Sequence, residues 1–352
     1  MAEEDAFERV LQALSARDWS AEAARHERVG PLLHRAIGGT AHRGDYVACA
    51  ARNVELFDGL DEIAQALFDA GVRPVLLKGG DLATRLYPTM ALRPMSDLDL
   101  WVSPEEIAPA ESALASLGLA AFCPEMTPGL SRRIRHARLY VRGKSALAVD
   151  LHWSLVGHAN DRRAPSLAWF ESRAVASEAG PWRVLDETAS LLYLAAHAKL
   201  QHWDERAPLV WLVDFYLASH QNVDWDALLA AAERFAWNDA LAAIALETKE
   251  RLGLVLPGPL ERFVDATPRA LAPVPPTFRG GPERALKELS DLDWWGRGTL
   301  VFSYLFPSRD YLRFRYRARA RWPWPLLYLA RWASLVASGV SLATRRRRSV
   351  RS

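Results

Sequence analysis

The sequence predicts an α+β protein: a small sheet with flanking helices, then a helical second half. Three observations predict it. Residues 74–103 hold two short apolar runs with room for about two helical turns between them. Residues 137–142 and 146–153 read as a hairpin joined by Gly143-Lys144-Ser145. Before and after these stretches, apolar residues recur at helical spacing. At 352 residues, half of them hydrophobic, the chain is long enough for one large or two ordinary domains with a substantial core.

Phe7, Val10, Leu11 and Leu14 follow the i, i+3, i+4, i+7 pattern of a first helix. Asp18-Trp19-Ser20 breaks it, and Ser20 can cap the next helix. Val29, Leu32, Leu33 and Ile37 give a further apolar face that stops at Gly38-Gly39. His26 and His34 are read as surface or packing residues. Residues 45–70 form a long amphipathic helix ended by Gly71. Val75-Leu76-Leu77 is a short buried strand that stops at Lys78-Gly79-Gly80; Asp81 to Tyr87 can wind about two turns, and Pro88 ends them. The second run carries Asp97-Leu98-Asp99-Leu100-Trp101-Val102, whose alternation puts Asp97 and Asp99 on one face and Leu98 and Leu100 on the other.

Ser103-Pro104-Glu105-Glu106 starts a helix with a capping serine, a proline in the first position and acids in the first turn. It reaches Leu117 and stops at Gly118; a short strand over 119–123 follows. Arg132, Arg133, Arg135 and His136 lie in an irregular connection over 124–136, either a solvated loop or a contact for phosphate or an acidic substrate. In the strand Ala146–Trp153, Asp150 and His152 share a face. Residues 154–186 read as loop with one short helix near Ser166–Phe170.

From Asp186 the pattern is helical. His197 and His202, five apart, do not share a helix face as an i, i+4 pair would, which argues against zinc. Asp214 is a lone acid in an apolar helix; it pairs with a lysine or arginine in the core or lines a cleft. Further helices run from Asp224-Trp225-Asp226 to Phe235 and over 237–252, closed by Gly253. Residues 257–283 are a connector rich in proline and glycine. At the C-terminus, Arg309, Arg313, Arg315, Arg317, Arg319 and Arg321 interleave with Tyr311, Phe314, Tyr316 and Trp322. An apolar run interrupted by Arg331 and a tail at Arg345–Arg348 complete the chain. That run is too short to span a bilayer and reads as an amphipathic helix docked on the body or on an anionic membrane surface, with RNA or a protein as other partners for the basic tail.

A formal net charge of +2 gives no global field for nucleic acid. The two cysteines, Cys49 and Cys123, form neither a metal pattern nor a disulfide framework, and the acidic N-terminus carries no signal region, so a reducing cytoplasm is expected.

The chemistry concentrates at residues 77–99. Two carboxylates on one strand face repel each other, more so when buried. A divalent cation removes that penalty, since Mg²⁺ takes one or two carboxylates together with substrate phosphates. Gly79-Gly80 allows close backbone approach, and a following helix N-terminus favours an anion. In this order, Leu77-Lys78-Gly79-Gly80, Leu86-Tyr87-Pro88 and Arg93-Pro94-Met95-Ser96-Asp97-Leu98-Asp99-Leu100 resemble the signature of a family of uncharacterised bacterial nucleotidyltransferases in the DNA polymerase β-like superfamily. The resemblance is dense over 74–103 and continues more weakly to about residue 230.

It implies a polymerase β-like nucleotidyltransferase core and a helical C-terminal domain. The expected organisation is a helical lead-in over 1–44, a catalytic domain over 45–160, a helical domain over 186–300 and a basic, aromatic C-terminal segment over 301–352. Asp97, Asp99 and Asp150 would be the catalytic carboxylates and the ligands of Mg²⁺ or Mn²⁺. Lys78, Gly79, Gly80, Arg93 and His152 would serve the nucleotide, although Lys78 could instead pair with a core acid and Arg93 could brace Asp97. His152 contacts phosphate or orients Asp150, and His197 and His202 fall where relatives carry polar residues facing the nucleotide cleft. Asp81 caps its helix and faces away, or weakens triphosphate binding. The implied reaction is transfer of an NMP group from an NTP to an acceptor (small molecule, peptide, protein or RNA) with release of pyrophosphate. The alternatives are a phosphotransferase on the same metal site and a catalytically silent nucleotide-binding scaffold.

Overall fold

The computed structural model describes residues 2–143, 145, 147–157, 164–202, 206–267, 289–290, 292–319 and 321–349, with side chains of 2–4, 318 and 338–349 left aside. Lys144 of the hairpin turn, Asn160, Trp203, most of the proline-rich connector and the Arg345–Arg348 side chains lie outside the described residues.

The helices expected at the N-terminus are α1 (Ala2–Ser15), α2 (Ala21–His26) and α3 (Gly30–Ile37), followed by the long α4 (Arg43–Asp69). Ser20 caps α2 by accepting from the Ala23 N–H. The next elements are β1 (Val75–Leu77), α5 (Lys78–Arg85), β2 (Leu98–Trp101), α6 (Ile107–Ser116) and β3 (Leu119–Ala121). Ser103 and Glu106 form a reciprocal capping box, and the turn they enclose is 3₁₀ before α6 begins. The 124–136 connection contains a one-turn helix, α7 (Leu130–Ile134), and leads to the hairpin β4 (Ala137–Arg142) and β5 (Ala148–His152).

The stretch 154–186, read as loop, holds more than α8 (Leu167–Glu171). It carries β6 (Ala174–Ala176) and β7 (Arg183–Leu185), and β7 pairs parallel to β1. Strands of three residues are too short for alternation to register in the sequence. The sheet has seven strands in the order β3-β4-β5-β2-β1-β7-β6 and is mixed, with β2–β5 and β1–β7 parallel.

The second half is helical: α9 (Glu187–Ala196), a π-turn over His197–Gln201, α10 (Leu209–Ser219), α11 (Trp225–Arg234), α12 (Asn238–Leu252), α13 (Gly258–Ala266), α14 (Trp294–Leu305), α15 (Arg309–Arg315) and α16 (Trp324–Ser349). Asp186 and Asp224 cap α9 and α11. Gly253, in the left-handed region at φ 71°, closes α12.

Two apolar cores lie on opposite faces of the sheet. Leu76, Leu98, Leu100, Val149 and Leu151 point into a core shared with α4 and α6. Their neighbours Val75, Leu77 and Trp101 point the other way, into a core shared with α1, α3 and α9 to α12. Asp99, Asp150 and His152 have the parity of this second face, so the sheet presents them towards the helical half, and Asp97 lies in the bend just before β2.

Candidate active site

The site forms where β1, β2 and β5 lie side by side. Leu77 pairs with Asp99, and Asp99 pairs in parallel register with Asp150. That register sets the two carboxylates on neighbouring strands, while His152, one alternation further along β5, comes up beside both. Its Nε2 lies 3.0 Å from Asp99 Oδ1 and 3.3 Å from Asp150 Oδ2. Ionised carboxylates only accept, so Nε2–H donates to them. His152 is fully buried, and its Nδ1 has no hydrogen-bond partner.

Immediately after β1, Lys78 takes a left-handed backbone (φ 50°), which turns the strand directly into α5. A non-glycine residue held there stores about 1–2 kcal/mol. The turn delivers Lys78 Nζ to Asp99 Oδ1 at 2.6 Å. Lys78 thus pairs with an acid, and that acid lines the cleft together with it. Among the described residues, both the Lys78 and His152 contacts fall on Oδ1, leaving Asp99 Oδ2 for another ligand.

The glycines sit inside the first turn of α5, not in a bend before it. A Cβ on Gly79 would fall 2.6 Å from Arg93 Nη1, and one on Gly80 would fall 2.7 Å from Leu76 Cδ1. Gly79 lines the cleft; Gly80 is bare so that α5 can press on β1. Asp81 is buried and bonded to Arg85 at 2.7 Å, and Arg85 also donates to Ser190 on α9. Burial pushes its carboxyl up to about 6 against the pull of Arg85. It faces the α5–α9 contact and not the cleft.

Arg93 does not brace Asp97. Its guanidinium grips Asp214 of α10, with Nη2 2.6 Å from Oδ2 and Nε 3.3 Å from Oδ1. Tyr87 donates to the same carboxylate at 2.6 Å. Asp214 therefore satisfies both readings the sequence left open, since it is paired and also lines the cleft. The arginines of the basic connection do not line the cleft, and Arg132 pairs with Glu111 at 2.5 Å. The His136 ring lies tilted beside His152 at 5.5 Å and is held to about 3, chiefly by burial.

The resulting cleft, of about 220 Å³, is lined on the sheet side by Lys78, Gly79, Met95, Asp97, Asp99 and Asp150. The helical half contributes His197, His202, Trp211 and Asp214, and the α2–α3 turn contributes Arg28. The His197, His202 and Trp211 rings lie 4.7–4.9 Å apart and form an aromatic wall opposite the acids. Arg28 carries no sequence signal: it follows α2 with a left-handed backbone (φ 56°). Its neighbour Glu27 is tied to the start of α10 through the Leu209 N–H and to Arg251 at 2.8 Å each.

Burial works against ionisation throughout this site, and the neighbours decide the outcome. Burial alone would raise Asp99, but Lys78 and His152 outweigh it and hold that carboxyl far below the usual range. Asp150 is lowered too, with His152 overcoming burial. Asp97 has a serine hydroxyl on Oδ1 at 2.8 Å, and burial followed by the Asp99 charge raises it. Burial, then Lys78, keeps His197 neutral.

Asp99, Asp150 and His152 each offer a ligand atom within 4.8 Å of the others. The carboxylate oxygens suit a hard divalent cation. His152 Nε2 is already committed to both acids, so it holds the pair in place.

A family model described as uncharacterised nucleotidyltransferase matches residues 15–253. No curated protein matches. Two solved structures do, both of ANT(2'')-Ia. One is a crystal structure in complex with adenylyl-2''-tobramycin (14% identity, 50% of this chain and 94% of that one, TM-score 0.34). The other is a solution structure of this antibiotic-resistance factor (15% identity, 55% and 95% covered, TM-score 0.35).

Proposed function

The chain belongs to the uncharacterised nucleotidyltransferase family, and from that premise we propose that it moves an NMP group from an NTP to an acceptor hydroxyl or phosphate at this cleft, releasing pyrophosphate. The observation that carries the reading is the pairing of Asp99 with Asp150 in register on adjacent strands, with Asp97 beside them at the same opening. Asp97, Asp99 and Asp150 would hold Mg²⁺ or Mn²⁺. A bound cation there would offset the triphosphate charge and polarise the phosphate under attack.

The protein's own groups have distinct parts. Asp150 accepts the proton of the acceptor hydroxyl as its oxygen bonds to the α-phosphorus, and the bond from that phosphorus to the bridging oxygen breaks towards pyrophosphate. His152 orients Asp99 and Asp150 from behind. Lys78 and Arg28 face the triphosphate as cations, and positioning with fixed charge supplies most of the catalysis in such transfers. Arg93, committed to Asp214, acts on the nucleotide only through the shape it gives the cleft beside Gly79. The aromatic wall stacks the base or the acceptor. In this division, residues 45–160 carry the metal and, with Arg28 of the lead-in, the phosphates, and residues 186–300 carry the opposite wall. The free cysteines fit a cytoplasmic location.

The test is incubation of the purified protein with each NTP, labelled at the α- or γ-phosphate, with Mg²⁺ or Mn²⁺ and cell extract. Transfer of α-label to an acceptor is expected, and D99N and D150N should each lower it by on the order of a hundredfold. Transfer of γ-label would make the protein a phosphotransferase. Absence of turnover with any nucleotide would leave a binding scaffold.

A further inference from the structure

The C-terminal segment has a surface that the cleft does not use. Twelve of the nineteen large apolar side chains exposed on the described residues lie between 294 and 336, led by Trp294 and Trp295 at 70% and 67% exposure. Along α14, Trp295 and Phe302 are seven residues apart and share one stripe, and Phe306, the residue that ends the helix, lies 5.3 Å from Phe302. The stripe continues across the next helix. Phe306 lies 5.9 Å from Trp332 and 6.4 Å from Tyr328, and Tyr328 lies 6.0 Å from Trp324. Hydrogen bonds fix this joint: Trp332 Nε1 donates to the Leu305 carbonyl at 2.8 Å, and the Tyr328 hydroxyl donates to that of Pro307 at 2.6 Å. The exposed face is thus built from two docked helices.

It is also strongly cationic. Residues 294–352 contain thirteen arginines, no lysine and a single acid, Asp310. Since the whole chain carries only +2, everything before residue 294 is net acidic. Arg309 lies over the Trp324 ring and Arg319 over Trp322, each at 4.9 Å. Arg315, Arg317 and Arg319 line one cleft with Phe314 and Tyr316.

The geometry points to an anionic lipid bilayer as the occupant of this face, on which the protein rests peripherally. Tryptophan and tyrosine rings, apolar with one polar handle, prefer the bilayer interface. Guanidinium groups beside them are drawn to anionic headgroups. The exposed Leu305, Leu326, Leu329 and Val336 decide against nucleic acid, since aliphatic side chains gain nothing by stacking on bases but do gain by entering the acyl boundary. Two copies of so basic a face would repel each other. No described helix is long and apolar enough to cross a membrane, so the contact lies on the surface. The net-acidic remainder of the chain would be repelled by the same lipid, which orients the molecule.

Flotation of the full-length protein with vesicles of phosphatidylcholine, alone or mixed with phosphatidylglycerol, tests this and needs no nucleotide turnover. Binding to the mixed vesicles only is expected, weakening as salt rises. R313E/R315E/R317E should weaken it by on the order of a hundredfold. W294S/W295S should weaken it while leaving the salt dependence in place, and all these side chains are exposed, so far-UV circular dichroism should match the parent. Failure to float with mixed vesicles overturns the inference, as does equal flotation on neutral vesicles that ignores the arginine changes. Capture by homopolymeric RNA without vesicle binding would assign the face to nucleic acid. Self-association without lipid that W294S/W295S abolishes would assign it to a second copy.

Discussion

Among single residues, Asp214 is a buried acid held by two partners at the edge of the cleft. It is 1% exposed, as buried as the aliphatic core, yet it takes Arg93 and Tyr87 together. Removing one partner from a buried pair strands the other charge, which typically costs about 3–5 kcal/mol, whereas replacing both with apolar residues can be nearly neutral. D214N is therefore expected to destabilise by about that much in urea unfolding, and R93M/D214M to recover most of it. Additive losses in the double variant would show that the pair is not a coupled unit. The sequence placed Asp214 in an apolar helix and left its partner open, because a separation of 121 positions from Arg93 is bridged only by the fold. The faces of Asp99, Asp150 and His152 were legible for the opposite reason: period-two alternation is local, and two short strands suffice to set them, whereas Asp97 sits one residue before its strand. Arg28 and Trp211 had no local pattern at all and reach the cleft through tertiary packing.

At the scale of elements, the joint between β1 and α5 decides how the site is built. Glycine's bareness serves close ligand approach and close packing equally well, so the sequence could not separate the two at Gly79-Gly80. In the fold, the turning residue is Lys78, and each glycine makes room for a particular neighbour. Gly80→Ala would drive a methyl against Leu76, whose side chain is locked in the core shared with α4 and α6. Overpacking of this kind costs about 1–3 kcal/mol. The expected result is a lower urea midpoint for G80A, and a loss in L76A/G80A smaller than the sum of the two single losses, because the smaller strand residue vacates that space. Unchanged stability in G80A would mean that α5 shifts freely on β1. Such freedom would contradict a joint that must place Lys78 within hydrogen-bond reach of Asp99. The strands β6 and β7 escaped the sequence because a strand of three residues has no periodicity to read, although β7 supplies the parallel neighbour of β1.

For the molecule as a whole, the two cores divide the chain differently from its order. The N-terminal helices α1 and α3 share their core with α9 to α12, so chain segments separated by the entire sheet form one packed layer. The other layer, α4 and α6, closes the far face of the sheet. The cleft lies between the sheet and the first layer, and its helical wall is only as rigid as that layer. Arg28 rides on the same layer, pinned through Glu27 to α10 and Arg251. Local opening tends to follow packed units. Native-state hydrogen exchange should therefore show the amides of α1 gaining and losing protection together with those of α10 and α12, not with α4. Leu14→Ala, at a fully buried position of α1, tests the link directly. It should cost about 2–5 kcal/mol and lower protection across α10 and α12 while leaving α4 and α6 less affected. If the loss instead spreads evenly over the sheet and α4, the two layers open as one cooperative body. The helical wall could then not move independently of the carboxylates it faces.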